Sequence, residues 1–441
     1  MSSNYAATVV RLNGVRKHSN ADRLQCVNIF GNNVIVGLDA KDGDLGLFFP
    51  VESQIGPEFA AANDLIRRKD ENGKPAGGMF EAHRRVRAIT LRGEKSMGFW
   101  CPITYLTKTL NCDPSIKGIE ETFFQEGQEI ETFRGMTIST KYVPRRNSVN
   151  EMSAGKQPKR PKKSESRVIP EQFHHHFDTA HLGRNIHRIK PDDLISITWK
   201  LHGTSAVTSH VLVKKPLKWY EKALKKIGVN VVDTEYDYLF SSRKVIKNDR
   251  INTGPGFYSE DLWTRVGEGF RGKLHKGESV YYEIVGYLAD NSYIQKDYDY
   301  GCVPGQHKVY IYRITQTNAD GVVTELAWNQ VVERAKEIGY ETVPEIYIGK
   351  AVNLWNDNLE EESIERWQEA MLAKLQHYFV HDQDCQFCKN KVPAEGIVLR
   401  VEGLNINNYK LKAFRFLKKE TEELDTGTVD LETSQAEEIN V

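Results

Sequence analysis

The chain has 441 residues, with 60 lysines and arginines balanced by 60 aspartates and glutamates, so its formal net charge at pH 7 is zero. This length allows two or three domains with cores of their own. A zero net charge excludes a global basic field, so a surface that binds nucleic acid must be local. No apolar run is long enough to span a membrane, and the first residues lack the pattern of a signal peptide. Six dispersed cysteines fit a reducing compartment, and we expect a cytoplasmic protein.

The amino-terminal part, residues 1–135, contains short runs rich in β-branched and aromatic residues, separated by Gly, Asp and Asn turns. These runs are 7–12, 24–29, 33–37, 45–49 and 85–91. They predict a small β-barrel. The segment His18–Leu24 resembles the signature of OB-type modules that bind tRNA. A barrel with an ordinary charged surface is the alternative.

Basic residues cluster near the last of these runs and could follow a phosphate backbone. They are Arg84, Arg85, Arg87, Arg92 and Lys95.

Two segments have the composition of flexible chain. Residues 136–170 are polar and basic, which predicts a mobile linker between two domains. The run 158–163 inside it could contact phosphates or act as a nuclear signal, although solvated linker charge is the simpler interpretation. Residues 420–441 are acidic and poor in aromatic residues, which predicts a disordered tail.

The most informative segment is Ile195–Val213, in which apolar and polar residues alternate on both sides of Lys200-Leu-His-Gly203. The alternation predicts two strands with the lysine at a strand end beside a turn. An amine in such a place can act as a nucleophile if its pKa is lowered and an electrophile lies close. A solvated lysine is the simpler interpretation of this segment by itself.

Later β-rich segments repeat the arrangement of a strand that carries a charged or aromatic side chain. In chain order these side chains are Arg243, Glu283, Tyr312, Glu395, Lys410 and Lys412. Lys410 and Lys412 share one face, because side chains alternate along a strand. Each residue alone is more commonly part of the solvent face of a half-buried sheet.

Together and in this order, these residues resemble the nucleotidyltransferase motifs of ATP-dependent polynucleotide ligases and capping enzymes, over about residues 175–420. Lys200-x-x-Gly203 resembles motif I, with motif Ia at Ser242-Arg243, motif III at Glu283, motif IIIa at Tyr312, motif IV at Glu395-Gly396 and motif V at Lys410-x-Lys412. The pattern resembles in particular the RNA ligases of the nick-sealing clade, which have an OB-like module before the nucleotidyltransferase domain.

This resemblance implies an α+β fold: an OB-like β-barrel in 1–135, the linker 136–170, and in 171–419 an adenylyltransferase domain of ATP-grasp-like antiparallel sheets with helices. It implies an ATP-dependent RNA ligase that seals 3′-OH and 5′-phosphate ends through lysyl-AMP and RNA-adenylate intermediates, in RNA repair. We expect it to act as a monomer on a nicked duplex, away from membranes. Because the motifs are complete by Lys412, self-adenylylation is expected not to need residues 1–140.

The resemblance also implies roles for the phosphate-directed residues. Lys200 would accept AMP, while Lys410 and Lys412 neutralise the triphosphate. Glu395 would hold Mg2+ or Mn2+, which prefer oxygen ligands. Cationic neighbours would lower the pKa of Lys200 and leave more free amine.

The nucleoside would be held by other residues of the motifs. Tyr312 offers a ring on which adenine can stack, and Glu283 can accept hydrogen bonds from the ribose hydroxyls. Gly203 and Arg243 complete the nucleotide site. The chain departs from the usual Lys-x-Asp-Gly of motif I at His202, and such a variant tilts the interpretation towards RNA. A turn histidine bonded to the backbone is the alternative.

Other interpretations stay open at this point. A DNA ligase or a GTP-using capping enzyme could have the same fold, and so could a non-catalytic RNA-binding protein. A separate cluster, His377, His381, Cys385 and Cys388, has spacing that could bind zinc. Free thiols beside a turn are the simpler interpretation of its two cysteines.

Overall fold

A computed structural model describes residues 4–69, 73, 76–110, 121–144, 166–249, 258, 260–355 and 363–426. The basic run 158–163 and the part of the predicted tail after residue 426 lie outside these residues. No helix in the described ranges is long and apolar enough to cross a membrane.

The amino-terminal region consists of short strands and two helices. These are β1 (Ala7–Arg11), β2 (Arg16–Lys17), β3 (Leu24–Ile29), β4 (Asn32–Gly37), β5 (Leu45–Phe49), β6 (Ser53–Ile55), α1 (Pro57–Ala62), β7 (Ala88–Leu91), β8 (Glu94–Met97), β9 (Phe99–Pro102), α2 (Thr104–Leu110), β10 (Glu129–Ile130), β11 (Thr132–Phe133), β12 (Met136–Thr137) and β13 (Ser139–Lys141). The predicted β-rich runs are confirmed as strands, the last of them only from Ala88 onwards.

These strands do not join into the closed barrel that the sequence predicts. Within the described residues they form separate sheets, of which the largest has the order β10-β1-β5-β9 and the next β2-β3-β4. The physical reason lies in β5, which is buried along its whole length. Leu45, Leu47 and Phe49 face one apolar cluster, whereas Phe48 faces another. The sheet therefore separates two small cores instead of enclosing one.

The rest of the chain is built on two larger sheets with helices around them. Its elements are β14 (Ala180–His181), α3 (Leu182–Asn185), β15 (Leu194–Lys200), β16 (Thr204–Lys214), α4 (Trp219–Lys226), β17 (Thr234–Ser242), α5 (Leu262–Gly267), β18 (Glu278–Gly286), β19 (His307–Thr317), β20 (Val323–Glu325), α6 (Trp328–Ile338), β21 (Glu341–Thr342), β22 (Glu345–Lys350), α7 (Ile364–Phe379), β23 (Gly396–Val401), β24 (Asn407–Lys412) and α8 (Phe414–Asp425).

Both sheets are mainly antiparallel, as predicted for an α+β fold. One has the order β14-β24-β23-β15-β22, and the other has the order β17-β16-β18-β19-β20 with β21 beside β19. A turn of three residues, Leu201 to Gly203, passes the chain from β15 in the first sheet to β16 in the second. A large apolar core that includes Ile197, Ile284 and Leu399 packs the two sheets together.

Two segments predicted as flexible chain are partly ordered. The predicted linker 136–170 begins with β12 and β13, and β13 pairs with β6. This pairing uses backbone hydrogen bonds, which do not require apolar side chains, so a polar composition did not prevent it. The predicted tail 420–441 begins inside α8, which buries Phe414 and Leu417 against Val51 and Ala88. The predictions for 136–141 and 420–425 were therefore wrong, while the domain boundaries stay predictions.

Three of the five basic residues near Arg85 form ion pairs with other parts of the chain. Arg85 is buried and donates to the Asp425 carboxylate at 2.6 Å and to Thr421 O at 2.9 Å. Arg87 pairs with the same Asp425, and Lys95 pairs with Asp382. These three cations attach the amino-terminal region to α8 and to the segment that follows α7, so they serve packing.

The pairing of Arg85 with Asp425 makes a prediction about stability. Asp425→Ala leaves a buried guanidinium without its carboxylate, which we expect to lower the free energy of unfolding by about 1–2 kcal/mol, discounted because Asp425 is partly exposed. Urea unfolding measures the change. Asp192→Ala, which breaks the exposed pair with Lys350, is the control, and equal unfolding midpoints for the two variants would contradict the prediction.

Candidate active site

A cleft of about 1060 Å3, its open mouth included, lies between the two large sheets. It brings together residues that the sequence scatters over more than two hundred positions. Of the predicted site residues, its walls include Lys200, Arg243, Glu283, Tyr312, Lys410 and Lys412. Seven basic and three acidic side chains line it, so the cleft has the excess of positive charge that a polyphosphate needs.

Strand register places the lysines on one face. Lys200 at the end of β15 lies opposite Gly396 on β23, and Gly396 lies opposite Lys412 on β24. Gly396 has φ +146°, and a Cβ there would lie 2.0 Å from Leu411 O. Only glycine lets the central strand of this row pass so close to its neighbour. Two rows further along, Lys410 lies opposite Val398, so both lysines of β24 face the cleft as predicted.

Glu395 lies immediately before this row and joins its cations. Its Oε1 is 2.6 Å from Lys200 Nζ and 4.0 Å from Lys412 Nζ. The carboxylate is buried, and within the described residues its Oε2 has no hydrogen-bond partner. A buried carboxylate oxygen of this kind is a suitable ligand for a hard divalent cation, which takes oxygen donors.

The turn between the sheets is fixed by hydrogen bonds to its backbone. His202 N donates to Tyr300 Oη at 2.6 Å, and Gly203 N donates to Glu283 Oε1 at 3.0 Å. Gln295 Nε2 donates to Gly203 O at 2.7 Å. A Cβ on Gly203 would lie 2.4 Å from a backbone oxygen of β18. These contacts hold the end of β15, and hence Lys200, in place.

His202, where the usual motif has aspartate, is buried in an aromatic pocket. Its ring packs edge-on against Tyr298 and Phe416, each with a centroid distance of 4.8 Å. Its Nδ1 lies 3.9 Å from Glu395 Oε2. The histidine thus lies directly behind the carboxylate, and its backbone N–H helps to fix the turn through Tyr300.

The opposite wall of the cleft is formed by the second sheet. Tyr312 Oη and Ser205 Oγ form a hydrogen bond of 2.9 Å, and the ring of His176 meets Tyr312 edge-on at 5.1 Å. Arg243, just after β17, pairs with Asp178. Although burial raises the pKa of Asp178, Arg243 and Lys410 hold it below its usual value. This wall presents an aromatic ring between cations.

Sequence reasoning missed the residues that reach the cleft from outside the motifs. Tyr5, Glu52 and Lys141 come from the amino-terminal region, and Glu420 comes from α8. Lys412 Nζ lies 3.1 Å from Glu52 Oε1 and 3.3 Å from Glu420 Oε2. No local pattern marks these residues, because elements far apart in sequence supply them.

The lysine pair of β24 strongly perturbs the titration of its neighbourhood. Burial lowers the pKa of Lys410 to about 8, and the positive charge of Lys412 contributes. Burial raises the pKa of Glu52, but Lys412 and Lys410 outweigh it and hold that pKa well below its usual range. Glu52 is therefore an anion that partly compensates two close cations.

The residues considered for zinc lie beside this site. Within the described residues no group of three or more His, Cys, Asp or Glu side chains is arranged to hold a metal ion. Cys385 and Cys388 are free cysteines in a turn closed by a bond from Cys388 N to Cys385 O. A hydrogen bond from Cys388 lowers the pKa of Cys385. The rings of His377 and His381 lie 6.0 Å apart.

A comparison with protein families gives the assignment. The sequence model described as RNA ligase matches residues 193–415, just over half of the chain. The chain belongs to the RNA ligase family. The match begins just before β15 and ends in the first turn of α8, so it contains all of the predicted motif residues. No curated protein sequence matches this RNA ligase family member.

Solved structures with a similar fold come from an RNA ligase of Naegleria gruberi. Its structure with PPi has a TM-score of 0.56 at 14% identity, covering 95% of this chain and 99% of that chain. A lysine variant of it with ATP and Mn has a TM-score of 0.55 at 16% identity, covering 94% and 98%. A glutamate variant with AMP and Mn has a TM-score of 0.55 at 15% identity, and it also covers 94% of this chain and 98% of that chain. At these identities the likeness is one of fold, and it extends over the amino-terminal region.

Proposed function

We propose that this member of the RNA ligase family uses ATP to seal RNA breaks that have 3′-OH and 5′-phosphate ends, through lysyl-AMP and RNA-adenylate, as a repair enzyme. The observation that carries the proposal is the position of Lys200 Nζ, 2.6 Å from Glu395 Oε1 at the edge of a cation-lined cleft. ATP and AMP in the Naegleria gruberi structures support the choice of nucleotide.

In the first step, Lys200 Nζ forms a bond to the α-phosphorus of ATP while the bond to the β-phosphate oxygen breaks. The amine loses its proton to solvent, and pyrophosphate leaves. Phosphoryl transfer of this kind depends mainly on position and on stabilising charge. Lys410 and Lys412 lie on the strand two removed from Lys200, where they can neutralise the phosphates.

Glu395 would hold a divalent cation, Mg2+ or Mn2+, through its unpartnered Oε2. Such an ion would supply further positive charge to the phosphate oxygens. On the other wall, we propose that the Tyr312 ring stacks on adenine and that Glu283 accepts a hydrogen bond from the ribose. Arg243 would contact phosphate once its pairing with Asp178 rearranges.

The later steps follow from the same cleft. AMP passes from Lys200 to the 5′-phosphate of the RNA, and the 3′-hydroxyl then attacks that phosphate and releases AMP. Holding the two ends in line can supply several kcal/mol of the barrier, about 7–11 in well-oriented cases. We propose a nicked duplex as the substrate and a monomer as the active form.

The experiment that tests this function is label transfer from α-labelled ATP, compared with labelled GTP, to the protein. The whole chain should become labelled by ATP, whereas Lys200→Ala should not, because the AMP acceptor is gone. The variant should still join RNA that is already adenylylated. Lys350→Ala, an exposed lysine on β22, is the control. Labelling by GTP alone would favour a capping enzyme, and absence of labelling would favour a non-catalytic RNA-binding protein.

The pKa of Lys410, about 8, predicts a pH dependence. Only the ammonium form attracts phosphate, so the KM for ATP in self-adenylylation should rise between about pH 7 and about pH 9 as Lys410 loses its proton. Lys410→Arg keeps its charge over this range and should flatten the profile. Rates measured at several ATP concentrations give KM at each pH. A wild-type profile as flat as that of the arginine variant would contradict the role of Lys410.

Because Tyr5 and Glu52 line the cleft, we propose that self-adenylylation depends on residues 1–140, in contrast to the expectation from the sequence. A fragment that starts at Val168 lacks Tyr5, Glu52 and Lys141 and exposes the apolar contact of α8. We expect it to form lysyl-AMP about ten to a hundred times more slowly, because charge and position are both lost. Circular dichroism checks its fold, and the full chain with Lys141→Ala tests the contribution of that cation alone. A folded fragment that labels at the full rate would restore the original expectation.

A further inference from the structure

The residues between β16 and β17, 215–233, form an arm that contributes no buried residue to the protein. Helix α4, within the arm, buries none of its eight residues. Trp219 is 82% exposed, Ile227 75% and Val232 74%. Large apolar side chains left in water at this density mark a surface that binds something.

The arm and the residue before it are also strongly basic in a chain of zero net charge. Residues 214–233 contain six lysines against Glu221 and Asp233. Lys215 pairs with Glu221, and Lys225 pairs with Asp233. Across the described ranges no ion pair joins the other four, which are Lys214, Lys218, Lys222 and Lys226. Uncompensated lysines on an exposed surface favour a polyanion as the partner.

The positions of the aromatic and basic residues on α4 indicate which class of polyanion binds the arm. Trp219, Lys222 and Lys226 follow each other at intervals of three and four residues, so they share one face of the helix. In a helix that lies on a membrane, aromatic residues occupy the face opposite the lysines. Here the most exposed aromatic ring, Trp219, shares its face with Lys222 and Lys226. Rings interleaved with cations are the arrangement that binds single-stranded nucleic acid, with bases stacked on rings and phosphates on lysines.

We propose that this arm binds unpaired RNA that flanks the break in the ligase substrate, an inference that rests on the proposed function. The strands fix its distance from the site. From the pair Ala206 and Ser242 to the pair Lys214 and Thr234, β16 and β17 run nine residues side by side. Nine residues span eight steps of about 3.3 Å, or about 26 Å. That is the length of roughly nine base pairs of A-form RNA, in which each pair rises less than the roughly 3.4 Å of B-DNA, so the arm meets RNA beyond a short duplex next to the break.

The test compares two nicked RNA duplexes, each with nine base pairs on one side of the nick. One ends there, and the other continues as a twelve-nucleotide single strand. The whole protein should bind and seal the extended substrate better. Trp219→Ala should weaken binding of the extended substrate about tenfold through the loss of base stacking, and Trp219→Phe should restore most of it. The blunt substrate should be unaffected by both changes.

The contribution of the arm's lysines is measured separately, through the salt dependence of binding. Lys222→Ala combined with Lys226→Ala should reduce the slope of log K against log salt by about 1.4 for the extended substrate, because two phosphate contacts are lost. Lys336→Ala on α6, where the side chain is 66% exposed, is the matched control and should leave the slope unchanged.

The same samples distinguish a failure of the arm inference from a failure of the proposed ligase function. Labelling by ATP should be equal in all arm variants, and its absence from the whole protein would contradict the proposed function. If labelling and sealing of the blunt duplex are normal, three results would each overturn the arm inference. They are no advantage of the extended substrate, arm variants that bind it like the whole protein, and arm variants that lose binding to anionic vesicles but not to RNA.

Discussion

The site depends on holding several cations close together in a buried cleft. Lys410 and Lys412 lie two residues apart on one face of β24, and the row through Gly396 places Lys200 beside them. Like charges that lie this close together repel each other, and burial raises the free energy of each charged group. Carboxylates offset this repulsion: Glu395 between Lys200 and Lys412, and Glu52 and Glu420 on the far side of Lys412.

This need for compensation explains the architecture around the cleft. Glu52 can reach Lys412 only if the amino-terminal region packs on the catalytic sheets, and Glu420 can reach it only if α8 returns over β24. The Arg85 and Asp425 pair and the apolar contact of Phe414 and Leu417 keep both in place. Parts of the chain that look peripheral in sequence therefore set the electrostatics of the centre.

His202 fits the same logic. The Nδ1 of its ring lies 3.9 Å from Glu395 Oε2, so an aspartate at this position would place a second carboxylate close to a buried one. An imidazole between Tyr298 and Phe416 carries no negative charge, so it avoids that repulsion and fills the space with a ring. The change in motif I and the aromatic pocket behind it are thus parts of one arrangement.

The sequence was informative wherever local pattern decides the outcome. Strand alternation predicted the face shared by Lys410 and Lys412, and the order of the motif residues predicted which side chains meet. It failed where contacts join distant segments. Nothing near Glu52 indicates Lys412, and nothing near Arg85 indicates burial under α8, so a structural cation looked like an RNA-binding one. Likewise, the sequence of β5 is typical of an ordinary strand, and only the packing in the folded protein shows that both of its faces are covered.

The cleft contains residues from Tyr5 to Glu420, almost the full length of the chain. During synthesis the chain emerges from its amino terminus, so Lys200 leaves the ribosome long before Lys410, Lys412 and Glu420 of the same cleft. The last strand and helix complete the charge balance only at the end. A nascent or prematurely terminated chain would therefore carry Lys200 without the cations and carboxylates of β24 and α8, and the cleft would be completed in a single late event.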